Sequence, residues 1–259
     1  MSNSIKAVFF DVDGTLFSHE LNAVPDSTKR SLRALHRNGI KTVVVTGRAM
    51  QEYEKLPVSE LVFDGYLTLN GQLLMDKHRK LYAGTPIDKG EMEVLSGIFR
   101  AKKIPFVLIN DHDRYINYVN DTVIKTQEET KGTVPHLGQY SGEKIYQILA
   151  FVPPKDKQLL DDLLDECSIT SWNDTGIDII PKGGGKAAGI QKFIEEQGFK
   201  QEETMAFGDG ENDISMLEFA GIGVAMGNAG DEVKSIADYV TDSVDEDGIE
   251  KALVHFGLI

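Results

Sequence analysis

Two carboxylates close the segment "VFFDVDGTLF": Asp11 and Asp13 stand two residues apart at the end of an apolar run. A carboxylate at the C-terminal end of a parallel strand points into the crevice where open α/β sheets take their ligands. Asp-Gly at 13 and 14 is also a hairpin signal, but the following "TLFSHELNAVPD" does not alternate as a return strand would. A calcium loop of the EF-hand type is excluded, because Leu16 and Asn22 occupy the positions that need Gly and Glu. A second acidic segment, "FGDGENDISM", places Asp209, Glu211, Asn212 and Asp213 after another short apolar run, and it fails the same test at Ile214 and Ala220. Two such loops at strand ends of one sheet would converge on a divalent cation, and a carboxylate-rich oxygen set suits Mg2+. Glu211 reads more simply as a solvated turn residue than as a participant.

Two further positions can hold an anion. "VVVTGR" ends a strand at Thr46 and Gly47, where a hydroxyl and backbone N–H groups precede a helix; taken alone, this is as well explained by an ordinary helix start. "PKGGGKAAG" is not a nucleotide P-loop, since Ile180 and Ala187 stand where Gly and Ser or Thr are required. Lys186 nevertheless opens a helix from a glycine run. That is an unfavourable end of the helix dipole for a cation unless it faces bound negative charge.

The elements that must carry these residues follow from hydrophobic pattern. "KAVFFD" and "IKTVVVTGR" are continuous apolar runs of the kind a strand buried on both faces needs. Between them a helix starts at Asp26 or Ser27 as N-cap and ends at Gly39, which makes a strand, crossover helix and parallel strand. The C-terminal part repeats the alternation: a helix over 186–196, a strand at "TMAFGD", a helix from Asn212 through Phe219, a strand at "GVAM", another helix and "YVT". Residues 83–180 change character, with frequent Tyr and Asn and alternating stretches such as "YINYV" and "KIYQILAFV". The expected fold class is therefore α/β, a doubly wound and mostly parallel sheet core, with an inserted α+β module. The core would comprise 1–82 and 181–259, and the insertion 83–180, joined near "AGTP" and "IPKGGG".

With 27 basic against 41 acidic side chains the chain carries a net charge of -14, which repels nucleic acid and anionic lipid at long range. An anionic ligand must be captured by a local device. Cys167 is the only cysteine, so no intrachain disulfide and no thiolate metal site is expected, and a cytoplasmic location fits. No stretch has the length of a membrane span or the flanks of a signal peptide.

The order of these segments carries more than any of them: a strand ending in "DVDGT", a strand ending in "TG", a glycine-flanked Lys, and "GDGEND". In this the chain resembles the haloacid dehalogenase superfamily, specifically its Cof-like phosphatases. Residues 12–45 separate the first two motifs and residues 47–185 the second and third, which is where that group carries its cap domain. The resemblance implies Mg2+-dependent hydrolysis of a small phosphomonoester, a sugar phosphate or similar metabolite, through an aspartyl-phosphate intermediate. It assigns Asp11 as nucleophile and Asp13 as general acid and then base. It gives the metal to the Asp11 carboxylate, the Asp13 carbonyl and Asp209, with Asp213 in support. Thr46, Gly47, Lys186 and Asn212 would bind the phosphoryl oxygens. Nucleic acid and membrane are not expected as partners, and the oligomeric state stays open. A phosphosugar mutase and a non-catalytic phosphometabolite sensor are the alternatives. The single tryptophan, Trp172, lies in the insertion and is expected to report on cap closure.

Overall fold

The computed structural model describes residues 4–129, 132–152, 157–173 and 175–259, without the side chains at 157, 159, 172 and 173. The expected closure reporter, the Trp172 side chain, thus falls outside the described residues. The chain divides into two compact units, Met1–Ala83 with Gly185–Ile259, and Gly84–Gly184.

The first unit is built on strands β1 (Ala7–Phe10), β2 (Lys41–Val45), β3 (Gly65–Thr68), β4 (Leu73–Asp76) and β5 (Leu81–Gly84). Later in the chain come β12 (Thr204–Gly208), β13 (Ile222–Ala225) and β14 (Tyr239–Val240). Their spatial order is β14-β13-β12-β1-β2-β3-β4-β5. Pairing is parallel from β14 to β3 and turns antiparallel between β3 and β4. This is the α/β core that the apolar runs imply. β1 sits in the middle, with all four residues buried, as a strand covered on both faces requires.

On one face Phe9, Val43, Val45 and Leu67 pack with Ile190, Phe193 and Ile194 of the helix Lys186–Gln197, and the Phe9 and Phe193 rings meet edge to face. Each such buried side chain contributes about 1.5–3 kcal/mol of hydrophobic stabilisation. The helices Asp26–Arg37 and Gly248–His255 pack on one another, the former also against β2.

Register decides where the chemistry falls. Phe10 is paired with both Val44 and Phe207, so Asp11 lies level with Val45 and Gly208, and Thr46 and Asp209 come one step later along their strands. All three leave the same edge of the sheet.

Two local expectations are corrected. The first helix begins at Asp26 with Pro25 at its N-cap and no side-chain cap; the Asp26 carboxylate accepts from Lys29 instead and complements the helix dipole from the first turn. The segment after β12 does not enter a helix at Asn212. Glu211–Asp213 is a 3-10 turn and the helix spans Ile214–Phe219, because the Asp213 carboxylate folds back to accept from the backbone N–H groups of Asp209 and Gly210.

The second unit has its own six-stranded sheet: β6 (Phe106–Ile109), β7 (Arg114–Ile116), β8 (His136–Leu137), β9 (Gln147–Ala150), β10 (Cys167–Asn173) and β11 (Gly176–Pro181). The order is β10-β11-β9-β6-β7-β8, antiparallel except between β7 and β8. The helix Lys89–Ala101, capped by the Asp88 carboxylate on the Gly90 N–H, lays Met92, Leu95 and Phe99 onto Leu108, Ile148 and Ile179. Among the described residues no helix is long and apolar enough to cross a membrane.

Candidate active site

The end of β1 delivers Asp11 to a buried cluster. Lys186, with no exposed surface, directs Nζ to Asp11 Oδ1 at 2.6 Å and to Asp213 Oδ1 at 2.5 Å. The negative charge that a lysine at a helix start needs is thus two carboxylates of the same chain. Asp213 is fully engaged, since its other oxygen accepts from the backbone of Asp209 and Gly210 at 2.9 Å each. Lys186 is set by backbone contact between the start of its helix and the turn after β3. A Cβ on Gly189 would lie 2.7 Å from Gly71 Cα, and one on Gly71 would lie 2.8 Å from the Gly185 carbonyl oxygen.

Asp209 joins from the end of β12. One oxygen accepts from Thr15 Oγ1 at 2.8 Å and the other from Asn228 Nδ2 at 3.1 Å. One carboxylate oxygen from each of Asp11, Asp209 and Asp213 lies within 4.8 Å of the others. Gly14 is required here: its φ is +78°, and a Cβ would come 2.2 Å from Asp209 Oδ2.

The electrostatics of this cluster favour bound positive charge. Burial pushes the Asp11 carboxyl well above its ordinary value against the pull of Lys186, and the charges of Asp213, Asp209 and Asp13 add to the rise. Burial, followed by the Asp213 charge, lifts Asp209 to about 7. Burial would lower Lys186, but Asp11 and Asp213 outweigh it and hold the ammonium charged. Three carboxylates face one ammonium, and an additional cation would relieve the excess. The donors are all hard oxygens, which fits Mg2+.

Asp13 points elsewhere. Its carboxylate is gripped bidentately by Arg48, Nε to Oδ2 at 2.6 Å and Nη2 to Oδ1 at 2.8 Å, and Oδ1 also meets His19 Nε2 at 2.8 Å. Burial pushes this carboxyl up, yet the hydrogen bonds from His19 and Arg48 hold it well below the usual carboxylate range.

Thr46 is buried, and its hydroxyl oxygen accepts from the Arg48 N–H at 3.1 Å, which leaves its hydrogen to donate. Asn212 Nδ2 donates to Asn70 Oδ1 at 3.1 Å, and Gly47 packs beside the same Asn70 amide. Asn70 takes a left-handed φ of 54° directly after Leu69 at 52° and ahead of Gly71, in the turn that meets the start of the lysine helix. Glu211 is exposed.

The profile of the haloacid dehalogenase-like hydrolases matches residues 8–253, from the strand that carries Asp11 to the last helix. The chain belongs to this family. Its match falls among the family's phosphatases, and it is an enzyme of that class. It is 33% identical to the putative phosphatase YkrA of Bacillus subtilis, over 98% of this chain and 98% of that protein. It is 31% identical to YcsE of the same organism, a 5-amino-6-(5-phospho-D-ribitylamino)uracil phosphatase, over 98% of this chain and 96% of YcsE. Among solved structures, the subclass IIB sugar phosphatase BT4131 superposes with a TM-score of 0.87 at 36% identity, covering 98% of this chain and all of that one.

Of the residues singled out from sequence, the fold brings Asp11, Lys186, Asp209 and Asp213 into direct or near contact. Asp13, Thr46, Gly47 and Asn212 stand around them. Sequence reasoning missed Thr15, His19, Arg48, Asn70 and Asn228. For Arg48 a signal was present, an Arg directly after Thr-Gly at a helix start; for Asn228, which reaches the site from beyond β13, there was none.

Proposed function

We propose that this haloacid dehalogenase-like hydrolase carries out Mg2+-dependent hydrolysis of small phosphomonoesters, sugar phosphates first among them, through a phosphorylated Asp11. The observation that carries this reading is the buried contact of Lys186 with Asp11 beside Asp209 and Asp213.

Asp11, Asp209 and the Asp13 carbonyl would hold Mg2+, with Asp213 supporting them through Lys186. Bound there, the cation would neutralise charge on the phosphoryl oxygens. Lys186 fixes one oxygen of Asp11 and so turns the carboxylate for in-line attack, where a near-attack geometry lowers the entropic part of the barrier. The Asp11 oxygen forms a bond to phosphorus as the bond from phosphorus to the leaving oxygen breaks, and Asp13 gives its proton to that oxygen. Asp13, now a carboxylate, takes a proton from water; the water oxygen bonds to phosphorus, the bond to Asp11 breaks, and inorganic phosphate departs. Thr46, the Gly47 N–H, Lys186 and Asn212 donate to the phosphoryl oxygens as they spread in the transition state.

The grip of Arg48 and His19 keeps Asp13 ionised in the free enzyme, the form the second half-reaction uses. A phosphoryl dianion beside Asp13 raises its proton affinity by like-charge repulsion, which readies it for the first half. The substrate class rests on the sugar phosphatase relative, and the uracil-derivative phosphatase shows that a relative at similar identity bears a different specificity.

The test is phosphate release from a panel of sugar phosphates, nucleotide monophosphates and pyridoxal phosphate in Mg2+, scored by kcat/KM. Sugar phosphates should lead, and Asp11→Asn should be inactive on all. Turnover by Asp11→Asn would overturn the nucleophile, and uniform inactivity on sugar phosphates would overturn the substrate class.

A further inference from the structure

Asp209 is held by two side chains that, among the described residues, hydrogen-bond to no other carboxylate of the cluster. Thr15 Oγ1 donates to one of its oxygens at 2.8 Å, and Asn228 Nδ2 donates to the other at 3.1 Å. The Asn228 amide is itself oriented by what surrounds it. Its Oδ1 accepts from the Val244 N–H at 3.0 Å, a partner that only an acceptor satisfies, so Nδ2 must face Asp209 and the Gly14 carbonyl, which it meets at 3.0 Å. One side chain thereby joins three segments: the loop after β1, the loop after β12 and the turn that leads to the last helix. The turn that carries it is pinned as well, by the Met226 N–H on the Gly208 carbonyl and the Gly227 N–H on the Asp242 carbonyl.

A carboxylate is free to rotate about its last bond unless both oxygens are claimed. Here each oxygen has a donor from a different loop, one contributed by the segment that carries Asp11 and Asp13. Metal-ligating carboxylates rely on such outer partners for their orientation. Resting on the Mg2+ reading above, we propose that Thr15 and Asn228 are positioning residues that set the Asp209 carboxylate at the angle at which it and Asp11 share one cation. Neither acts on substrate.

The test is calorimetric titration of MgCl2 into the metal-free wild type, Thr15→Val and Asn228→Ala, with thermal unfolding of each in excess chelator. Thr15→Val keeps shape in a fully buried site and removes only the hydroxyl. Each variant is expected to raise the Mg2+ dissociation constant by about tenfold, the lower end for outer-partner loss, because Asn228 is solvent-exposed and water replaces part of its bond. In saturating Mg2+ the KM for substrate should stay within about twofold of wild type, as expected for lost positioning of a ligand that substrate does not touch. Unfolding temperatures in chelator should fall by only a few degrees, about the loss of one hydrogen bond to Asp209, whereas a merely structural role would lower stability and leave the Mg2+ affinity of the folded protein unchanged. Wild-type affinity in both variants overturns the inference. A loss of affinity that merely follows lowered stability in chelator overturns it too, and if Asn228→Ala fails to fold, Thr15→Val decides alone. A wild type without saturable Mg2+ binding overturns the metal reading itself, a result distinct from either.

Discussion

Replacing Lys186 with methionine isolates the charge from the shape of the most buried cation in the first unit. The side chain has no exposed surface, and its ammonium touches Asp11 and Asp213, which are themselves 10% and 1% exposed. Methionine fills nearly the same volume but leaves both carboxylates, with Asp209 close by, without a counter-charge. Removing one partner of a buried ion pair costs about 3–5 kcal/mol. At about 2–4 °C per kcal/mol for a domain of this size, the unfolding transition should fall by about 6–20 °C in excess chelator. The deficit has a direction in pH. Burial raises Asp11 well above its ordinary value and Asp209 to about 7, so both bind protons more tightly folded than unfolded, and Lys186 opposes that rise. Their protonated forms have no charge to leave unpaired, so the gap between variant and wild type should narrow as pH falls through about 7. Millimolar Mg2+ should narrow it at high pH, while phosphatase activity stays lower by about 10²-fold or more for want of a fixed charge on the phosphoryl oxygens. The assay is thermal unfolding of both proteins in chelator and in Mg2+ across that pH range. A variant within about 2 °C of wild type in chelator at high pH, below the smallest loss computed from the pair, would refute the argument.

Three other outcomes follow from the site. The half-saturating Mg2+ concentration should rise by at least about tenfold per pH unit below about 7, because each ligating carboxylate must lose its proton to bind the cation; a flat profile would show that Asp209, at about 7 without metal, takes no part. Arg48→Ala should lower kcat by about 10²-fold on both alkyl phosphates and p-nitrophenyl phosphate, because both pass through the water-activating half for which Arg48 keeps Asp13 ionised; a loss confined to alkyl phosphates would refute that role. Arg48→Lys should restore little, since the two-pronged contact is lost. Gly14→Ala, with a Cβ 2.2 Å from Asp209 Oδ2, should remove Mg2+ binding in calorimetry while circular dichroism stays native, and undiminished binding would show that Asp209 is free to move aside.

The strands and the three acidic or cationic segments were legible because each is local: an apolar run long enough to be buried on both faces, followed at once by the residues it presents. Lys186 could be read as facing negative charge from its place at a helix start, but that the charge would be Asp11 and Asp213 depends on how β1 and β12 lie side by side. The grip of Arg48 and His19 on Asp13 was not legible for the same reason. It assembles from two loops that only strand register brings level. Asn228 is the extreme case, since nothing around it in the chain suggests chemistry and its meaning comes from Gly14, Asp209 and Val244. The helix boundaries at 26 and 214 were missed by the smaller effect of a carboxylate spent elsewhere, on Lys29 and on two backbone N–H groups respectively.

The contact of Gly71 with Gly189 gives the lysine helix an engineering handle that lies off the chemistry. Two bare backbones meet there, so the depth to which Lys186 enters the cluster is set by an absent pair of methyl groups. Alanine at 189 would act as a shim: its Cβ, 2.7 Å from Gly71 Cα, would push the helix start outward by roughly the shortfall from van der Waals contact, about 1 Å. A displacement of that size in a positioning group is worth about 10²-fold in rate. A mutational scan of this enzyme should therefore find two intolerant glycines that act through the lysine helix, and a graded series at 189 would tune the distance from Nζ to Asp11 with no reacting side chain replaced.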